Sequence, residues 1–494
     1  MDYIIGVDIG TSSTKAIAFS IAGGIIGEYR VGYSLLNPQP GYVEQDPEVL
    51  FAAVIQSISH VVQVVMKTYG DGQLLGVGFS SAMHGLIAMD GQHQPLTNCI
   101  TWADTRSESF ATKLKSTPEG LTIYSRTGTP IHPMSPLCKL GWMREHQPAI
   151  FAAAQKFISI KEYVFLKLFG RYVVDESIAS ATGLFDIHEL SWHIPALELV
   201  GISPSHLSEP APITYTLAGM DETFANDMHI PRDTPIVIGG SDGCLANLGG
   251  GATHPGDAAV TIGTSGAIRT MSDLPQTDHK ARTFSYVLTH ELFVLGGAVN
   301  SGGVVLQWYR ENFGPIATPE EEAYRMLIDE AASVPAGAAG LVFLPYLAGE
   351  RAPHWNAEAK GMFFGVQLHH RKAHFTRAVI EGIVYGIYSV GKALEELAGP
   401  IKTIHANGGF ARSSVWVQVL ADVFNKRVLV HESVESAAKG AYLVVLKALG
   451  KISGFGDVET SVMEVFEPNP AAHQVYMENF GLFERLYDKI KDEF

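Results

Sequence analysis

Cysteine is scarce in this chain. Only Cys99, Cys138 and Cys244 occur among 494 residues, far apart and without C-x-x-C spacing; this excludes a disulfide framework and offers no zinc signature. Basic charge is short as well, with 35 Lys and Arg against 51 Asp and Glu and a net charge of −16. Nucleic acids and anionic membranes need clustered cations, so neither is an expected partner, and an anionic substrate must be held by local donors. No apolar run reads as reaching the ~18 residues that cross a bilayer. Met1 is followed directly by an expected strand rather than the basic n-region of a leader, so the expected location is the cytoplasm. Two common nucleotide devices are missing: there is no G-x-x-x-x-G-K-[ST], and no complete G-x-G-x-x-G opens a helix after a strand. Phosphate must be bound by other means.

What is present is a repeat. VDIGTS at 7–12 and VTIGTS at 260–265 share five of six positions, about half a chain apart. Both lie where an apolar β-branched run meets a Gly-led turn, which reads as a duplicated strand-turn-strand unit. Turns of this kind present backbone N–H groups and hydroxyls together, a cradle for phosphate oxygens. The first comprises Gly10, Thr11, Ser12 and Ser13 with Lys15 just beyond, the second Gly263 and Thr264. Asp8, at the mouth of the first turn, suits Mg²⁺ held through water, because that ion keeps waters and takes few protein carboxylates. Asp242 is the only charged residue of a Gly-Gly-Ser-Asp-Gly segment, expected as a loop after a strand at 235–238. Its plainer reading is an Asx-turn aspartate; beside the second phosphate turn it is a candidate catalytic carboxylate. The length predicts two large domains, placed at 1–245 and 246–494, with the glycines at 249–251 as a flexible seam.

Along the chain, strands are expected at 3–8, 14–21 and 25–35. A helix follows, capped by Asp46-Pro47, with Leu50, Val54, Val61 and Val65 on one face and Gly70 as its stop. A buried strand at 74–79 leads into SSAMHG, which puts Met83 and His84 at a strand's carboxyl end, where α/β sheets bind ligands. In TWADTRS at 101–107, an extended segment would place Trp102, Asp104 and Arg106 on one face. That mixture of aromatic wall, carboxylate and donors suits a polyol, the alternative being a surface Asp-Arg ion pair beside a core Trp. In the second half a strand at 292–299 precedes a helix at 304–312. Glu350 and Arg351 sit in a loop at 344–356, as an ion pair or as ligand contacts. A long helix spans 374–397, and His370 and His374 share a face without a third metal ligand. A strand ends in Gly408-Gly409 before a helix starting at Ser413 or Ser414, an arrangement suited to a nucleotide.

MSPLCKLGWMREH at 134–146 and GMFFGVQLHHRKAHFTRAVIE at 361–381, taken with these turns, resemble the FGGY carbohydrate kinases over almost the whole chain. The resemblance implies an α/β fold of two actin-like (ribonuclease H-like) domains with an ATP and sugar cleft between them. It makes Asp242 the base that takes the proton of the attacking hydroxyl, and puts Asp8, Thr11 and Thr264 at Mg²⁺ and phosphate positions. Gly303, Gln307, Gly409 and Ser413 fall at its nucleotide positions, and Met83, His84, Trp102, Asp104 and Met134 in its sugar pocket. SSAMHG, TWADTRS, RTGTPIHPMSPLCK and GGFARS are most similar to gluconate kinases, with xylulose kinases next. The implied reaction is transfer from Mg-ATP to the 6-hydroxyl of D-gluconate; D-xylulose is the alternative acceptor, and a non-catalytic actin-like ATP-binding protein the alternative class. Glycerol kinases have an Arg-Glu pair where this chain has Met83-His84. Gly243 follows the base where many members have Asn or Gln, so a substrate contact is lost or moved. A gluconate site needs a cation or donors for the carboxylate, and Arg106, Lys161, His84 and His132 are the candidates. The partners implied are ATP and a sugar acid, with a homodimer as a candidate assembly.

Overall fold

The computed structural model describes residues 1–70, 72–315, 318–431, 435–458 and 460–494. The chain forms two compact units, neither continuous in sequence. The first comprises Met1–Gly249, Asp273–Val294 and Glu435–Glu459, the second Gly250–Ser272, Leu295–Val434 and Thr460–Phe494.

In the first unit, β1 (Asp2–Ile9), β2 (Ser13–Ser20) and β3 (Ile25–Gly32) form an antiparallel meander. Helix α1 (Pro47–Tyr69) crosses over to β4 (Gln73–Ser81), which pairs parallel with β1. After the short β5 (Val173–Asp175), β6 (Ile236–Ser241) adds parallel to β4 and runs straight into α2 (Asp242–Gly249). The sheet order is Thr216–Leu217, β6, β4, β1, β2, β3. Ile4, Ile5, Val7 and Ile9 of the central β1 are all fully buried, as a strand covered on both faces requires. Asp46 caps α1 by accepting the Glu48 N–H, and Pro47 occupies the first turn.

The expectation that no apolar run reaches bilayer length overlooked α1. It has 23 residues and a window of mean hydropathy 1.9, long and apolar enough by length and composition to cross a membrane. Leu50, Val54, Ile58, Val61 and Val65 are buried in the core over β2 and β3, so the stripe that raises its hydropathy is sheet-packing surface.

The second unit repeats this plan. Its sheet runs β9 (Leu292–Val299), β8 (Gly266–Ser272), β7 (Asp257–Ile262), β10 (Thr403–Asn407), β11 (Arg427–His431), β12 (Val462–Phe466). β7 pairs antiparallel with β8 and parallel with β10, as β1 does with β2 and β4. Helix α3 (Gly303–Phe313) follows β9, α4 (Lys372–Ala398) precedes β10, and α5 (Ser414–Phe424) joins β10 to β11. The short sequence repeat therefore marks a repeated topology.

The chain then returns to the first unit as α6 (Ser436–Ala448). It approaches the sheet so closely that a Cβ on Gly6 would come within 2.1 Å of the Ala438 carbonyl oxygen, and one on Gly78 within 2.7 Å of that of Ala441. It crosses α2 where Gly440 would meet the Leu245 oxygen at 2.1 Å and Gly249 the Ser436 oxygen at 1.9 Å. Gly249 is thus a packing residue at a helix crossing, whereas the sequence suggested a flexible seam.

Candidate active site

The first turn leaves backbone donors free. Gly10 closes it by donating to the Ser13 carbonyl at 3.0 Å, while the N–H groups of Thr11 and Ser12 donate to no protein group among the described residues. Thr11 is held from two sides: Gln45 Nε2 donates to its carbonyl at 2.8 Å and Trp102 Nε1 to its hydroxyl at 2.8 Å. Trp102 therefore links the 101–107 segment to the first turn. Lys15 lies opposite Asp8 in the β1–β2 register, but its ammonium pairs with Glu435 at the start of α6.

Asp8 lies between the buried Val7 and Ile9 of β1 and accepts one hydrogen bond from Ser80 Oγ at 2.8 Å, across the β1–β4 register. Burial pushes its carboxyl up to about 6, the nearby charge of Asp242 adds to the rise, and the Ser80 hydroxyl and Lys15 oppose it. Two carboxylates raising one another's cost of ionisation fit a divalent cation. No group of three His, Cys, Asp or Glu side chains suited to a metal occurs among the described residues. Such an ion would therefore draw its other ligands from water and phosphate, as Mg²⁺ does.

Asp242 does not sit in a loop. It is the first residue of α2, where the helix dipole favours a carboxylate, and its Oδ1 accepts the N–H of Gly243 at 2.6 Å. The glycines of Gly-Gly-Ser-Asp-Gly serve the strand instead. Gly239 has φ +68°, a Cβ there would lie 1.7 Å from the Phe79 carbonyl oxygen, and the β6–β4 register shifts between Val237 and Gly240.

The 101–107 segment is irregular, not extended, because Asp104 organises it. Its Oδ2 accepts the N–H of Val43 at 2.7 Å, and its Oδ1 the N–H of Arg106 at 3.0 Å. The Arg106 guanidinium is committed through Nε and Nη2, with Nε to Asp104 Oδ1 at 2.8 Å, and Nη2 to Asp104 Oδ2 at 2.7 Å and Glu44 Oε1 at 2.5 Å. It also stacks over Tyr42 at 3.8 Å. Lys161 is spoken for too, paired with Asp175 at 2.6 Å and donating to the Gly240 carbonyl at 2.9 Å. Two of the four cations suggested for a substrate carboxylate are therefore neutralised inside the unit.

His84 is buried with φ +68°, a conformation costly for a side-chain-bearing residue. It is held by Nδ1 to the Ala181 carbonyl at 2.7 Å and by the Lys139 ammonium on its own carbonyl at 2.6 Å. Met83 packs beside it on a small apolar cluster, and His132 Nδ1 accepts the N–H of the buried Met134 at 3.2 Å.

In the second unit Gly263 donates to the Ser265 carbonyl at 2.9 Å, and the Thr264 and Ser265 N–H groups have no protein acceptor among the described residues. The start of α3 backs this turn, Gly303 N–H donating to the Gly263 carbonyl at 2.7 Å and Val304 N–H to that of Thr264 at 3.0 Å. Gln307, one turn further along, reaches Glu311. The β7–β10 register brings Gly408, with φ +95°, against the Ile262 carbonyl, while a Cβ on Gly409 would meet only open space. Ser413 caps α5 by accepting the Trp416 N–H at 3.3 Å. Each unit thus carries one exposed turn with free N–H donors. Away from these turns, Glu350 accepts from Asn300, Ser301 and Arg351 and braces the loop before α3. His370 and His374 each spend Nδ1 on a backbone N–H.

Sequence reasoning missed Glu44, Gln45, Ser80, Asp175, Ser177 and Glu435. Asp46-Pro47 marked a helix start, but nothing local in Glu44 and Gln45 marks a partner.

Residues 3–249 match the N-terminal domain of the FGGY family of carbohydrate kinases, and residues 258–449 its C-terminal domain. The gluconokinase of Bacillus licheniformis is 46% identical over 500 residues, covering 100% of this chain and 97% of that protein. A gluconate kinase structure from Lactobacillus acidophilus superposes with a TM-score of 0.94 at 34% identity, covering 99% of this chain and 98% of that one. A ligand-bound xylulose kinase structure, also from Lactobacillus acidophilus, gives 0.95 at 34%, covering 99% of each. The two-unit α/β architecture with mixed sheets is that of these sugar kinases.

Proposed function

The chain belongs to the FGGY family of carbohydrate kinases, and from that premise we propose that it transfers the γ-phosphoryl group of ATP to the 6-hydroxyl of D-gluconate, giving 6-phospho-D-gluconate. The observation that carries the choice of acceptor is full-length identity of 46% to a gluconokinase. Fold alone does not separate the two sugars, since both superpose equally well.

Asp242 takes the hydroxyl proton as the O6–phosphorus bond forms and the bond from the γ-phosphorus to the bridging oxygen breaks, releasing ADP. Its place at the start of α2 supports this role. The free N–H groups at Thr11, Ser12, Thr264 and Ser265 receive phosphate oxygens, with the Thr11 and Thr264 hydroxyls beside them. Gly303 and Gln307 on α3, and Gly408, Gly409 and Ser413 before α5, form the nucleotide side. Met83, His84, Trp102, Asp104, His132 and Met134 form the sugar side, Asp104 by shaping the wall that carries Trp102. His84 and His132 are the remaining candidate partners of the carboxylate. Asp8 would hold Mg²⁺, which would supply charge neutralisation on the phosphate oxygens. The reaction belongs in the cytoplasm, where ATP and the sugar acid meet.

The test is ADP release from Mg-ATP with gluconate, xylulose, ribulose or glycerol at equal concentration. Gluconate should lead by orders of magnitude, and Asp242→Asn should cut turnover on the order of 10²-fold or more. A lead for xylulose would overturn the acceptor, and undiminished turnover in Asp242→Asn would overturn the base.

A further inference from the structure

The segment that delivers Asp242 is gripped on both sides by a buried polar brace whose chemistry the reaction has not yet used. The register shift between Val237 and Gly240 displaces β6 by one residue against β4 before pairing resumes at Gly240 and Ser241, and a bulge of this kind re-aims the groups that follow it. The Gly240 carbonyl accepts the Lys161 ammonium at 2.9 Å. On the next residue, Ser241 N–H donates to Ser177 Oγ at 3.0 Å, and the two serine hydroxyls lie 2.8 Å apart. One carboxylate ties the two grips together. Asp175 Oδ2 pairs with Lys161 at 2.6 Å, while Oδ1 accepts the Ile178 N–H at 2.9 Å and so caps the short helix Glu176–Ser180 that carries Ser177. Lys161, Asp175, Ser177 and Ser241 are all buried.

We propose that Lys161 is a positioning residue for Asp242, acting through the Gly240 carbonyl, and not a cation for the substrate carboxylate. This rests on Asp242 being the base. A buried ion pair is no better for stability than apolar residues of like volume, so stability alone does not call for a lysine and an aspartate immediately behind the reacting carboxylate. What the pair adds is direction. It fixes the peptide before Ser241, hence the angle at which α2 presents its first side chain. The Lys161 charge also lies within reach of Asp242 itself, alongside Asp175 and Glu162.

The experiment compares Lys161→Met with the double variant Lys161→Met/Asp175→Leu, which removes both charges of the pair and decides the matter should the single variant fail to fold. Folding is checked by thermal melting, gluconate affinity by calorimetry, and kcat and KM by ADP release. The expected result is a kcat lowered on the order of 10- to 100-fold, the size of a small misplacement of a reacting group, with gluconate and ATP KM values and gluconate affinity nearly unchanged. A rise in gluconate KM at retained kcat would put Lys161 on the substrate, and wild-type kcat in the folded double variant would make the pair structural only; either overturns the proposal. Asp242→Asn separates this from failure of the base assignment: if it is inactive while the double variant is active, only the brace is refuted.

Discussion

Arg106→Met should lower stability and leave the choice of sugar alone. The Arg106 guanidinium neutralises Asp104 and Glu44 and stacks on Tyr42. The Asp104 side chain has 0% exposure and that of Arg106 only 3%, so solvent cannot replace what the substitution removes. Asp104 would keep only the Val43 and Arg106 N–H groups. Breaking a buried pair from one side costs about 3–5 kcal/mol, to which the lost stack on Tyr42 adds about 0.5–2 kcal/mol. Urea unfolding should register a loss of that order in the transition of the first unit, and Arg106→Lys should recover only part of it because an ammonium matches neither the fork nor the stack. Among molecules that remain folded, the ratio of kcat/KM for gluconate to that for xylulose should stay within a few-fold of wild type. A variant with unaltered unfolding and a gluconate KM raised tenfold more than the xylulose KM would refute the reasoning and return Arg106 to the sugar.

Gly440→Val should lower the melting temperature or abolish soluble expression. Even the first carbon would lie 2.1 Å from the Leu245 carbonyl oxygen, and overpacking against backbone costs about 1–3 kcal/mol or more. Trp102→Phe keeps a ring but loses the donor to Thr11; a hydrogen bond of about 1 kcal/mol predicts kcat/KM for Mg-ATP down about five-fold, and an unchanged value would unlink the pocket from the turn. Glu162 is pushed up to about 7, by burial first, against hydrogen bonds from Ser208 and Ser159. Its folded value lies above its unfolded one, so its stabilising contribution is complete below about pH 4.5 and is lost as pH rises through about 7. Glu162→Gln can keep the capping box at Ser159; it should flatten the fall in stability across that window, measured by urea midpoints at pH 5 and pH 8, and an undiminished slope would exclude Glu162 as its source.

Much of this protein is legible in its sequence because the decisive signals are local. The segment at 3–8 reads as a strand, Asp46-Pro47 reads as a helix start, and the repeated I-G-T-S turns point to a repeated strand-turn-strand unit, all of which the structure contains. Family membership was legible from long strings for the same reason. Local pattern misjudged Asp242, because a Gly-rich segment looks the same whether its glycines make a loop or let one strand approach another. It misjudged the 101–107 segment, where an aspartate turns the backbone onto its own side chain, and it read the core face of α1 correctly while passing over its bilayer-length hydropathy, because an apolar face looks alike against a sheet or a bilayer. Tertiary structure alone decided which charges are available. Arg106 meets Glu44 across 62 residues and Lys161 meets Gly240 across 79, while Lys15 near the first turn is matched by Glu435 near the far end of the chain. A side chain's charge is its own, but its availability depends on what the fold places within about 3 Å of it, and that is a property of distant segments brought together.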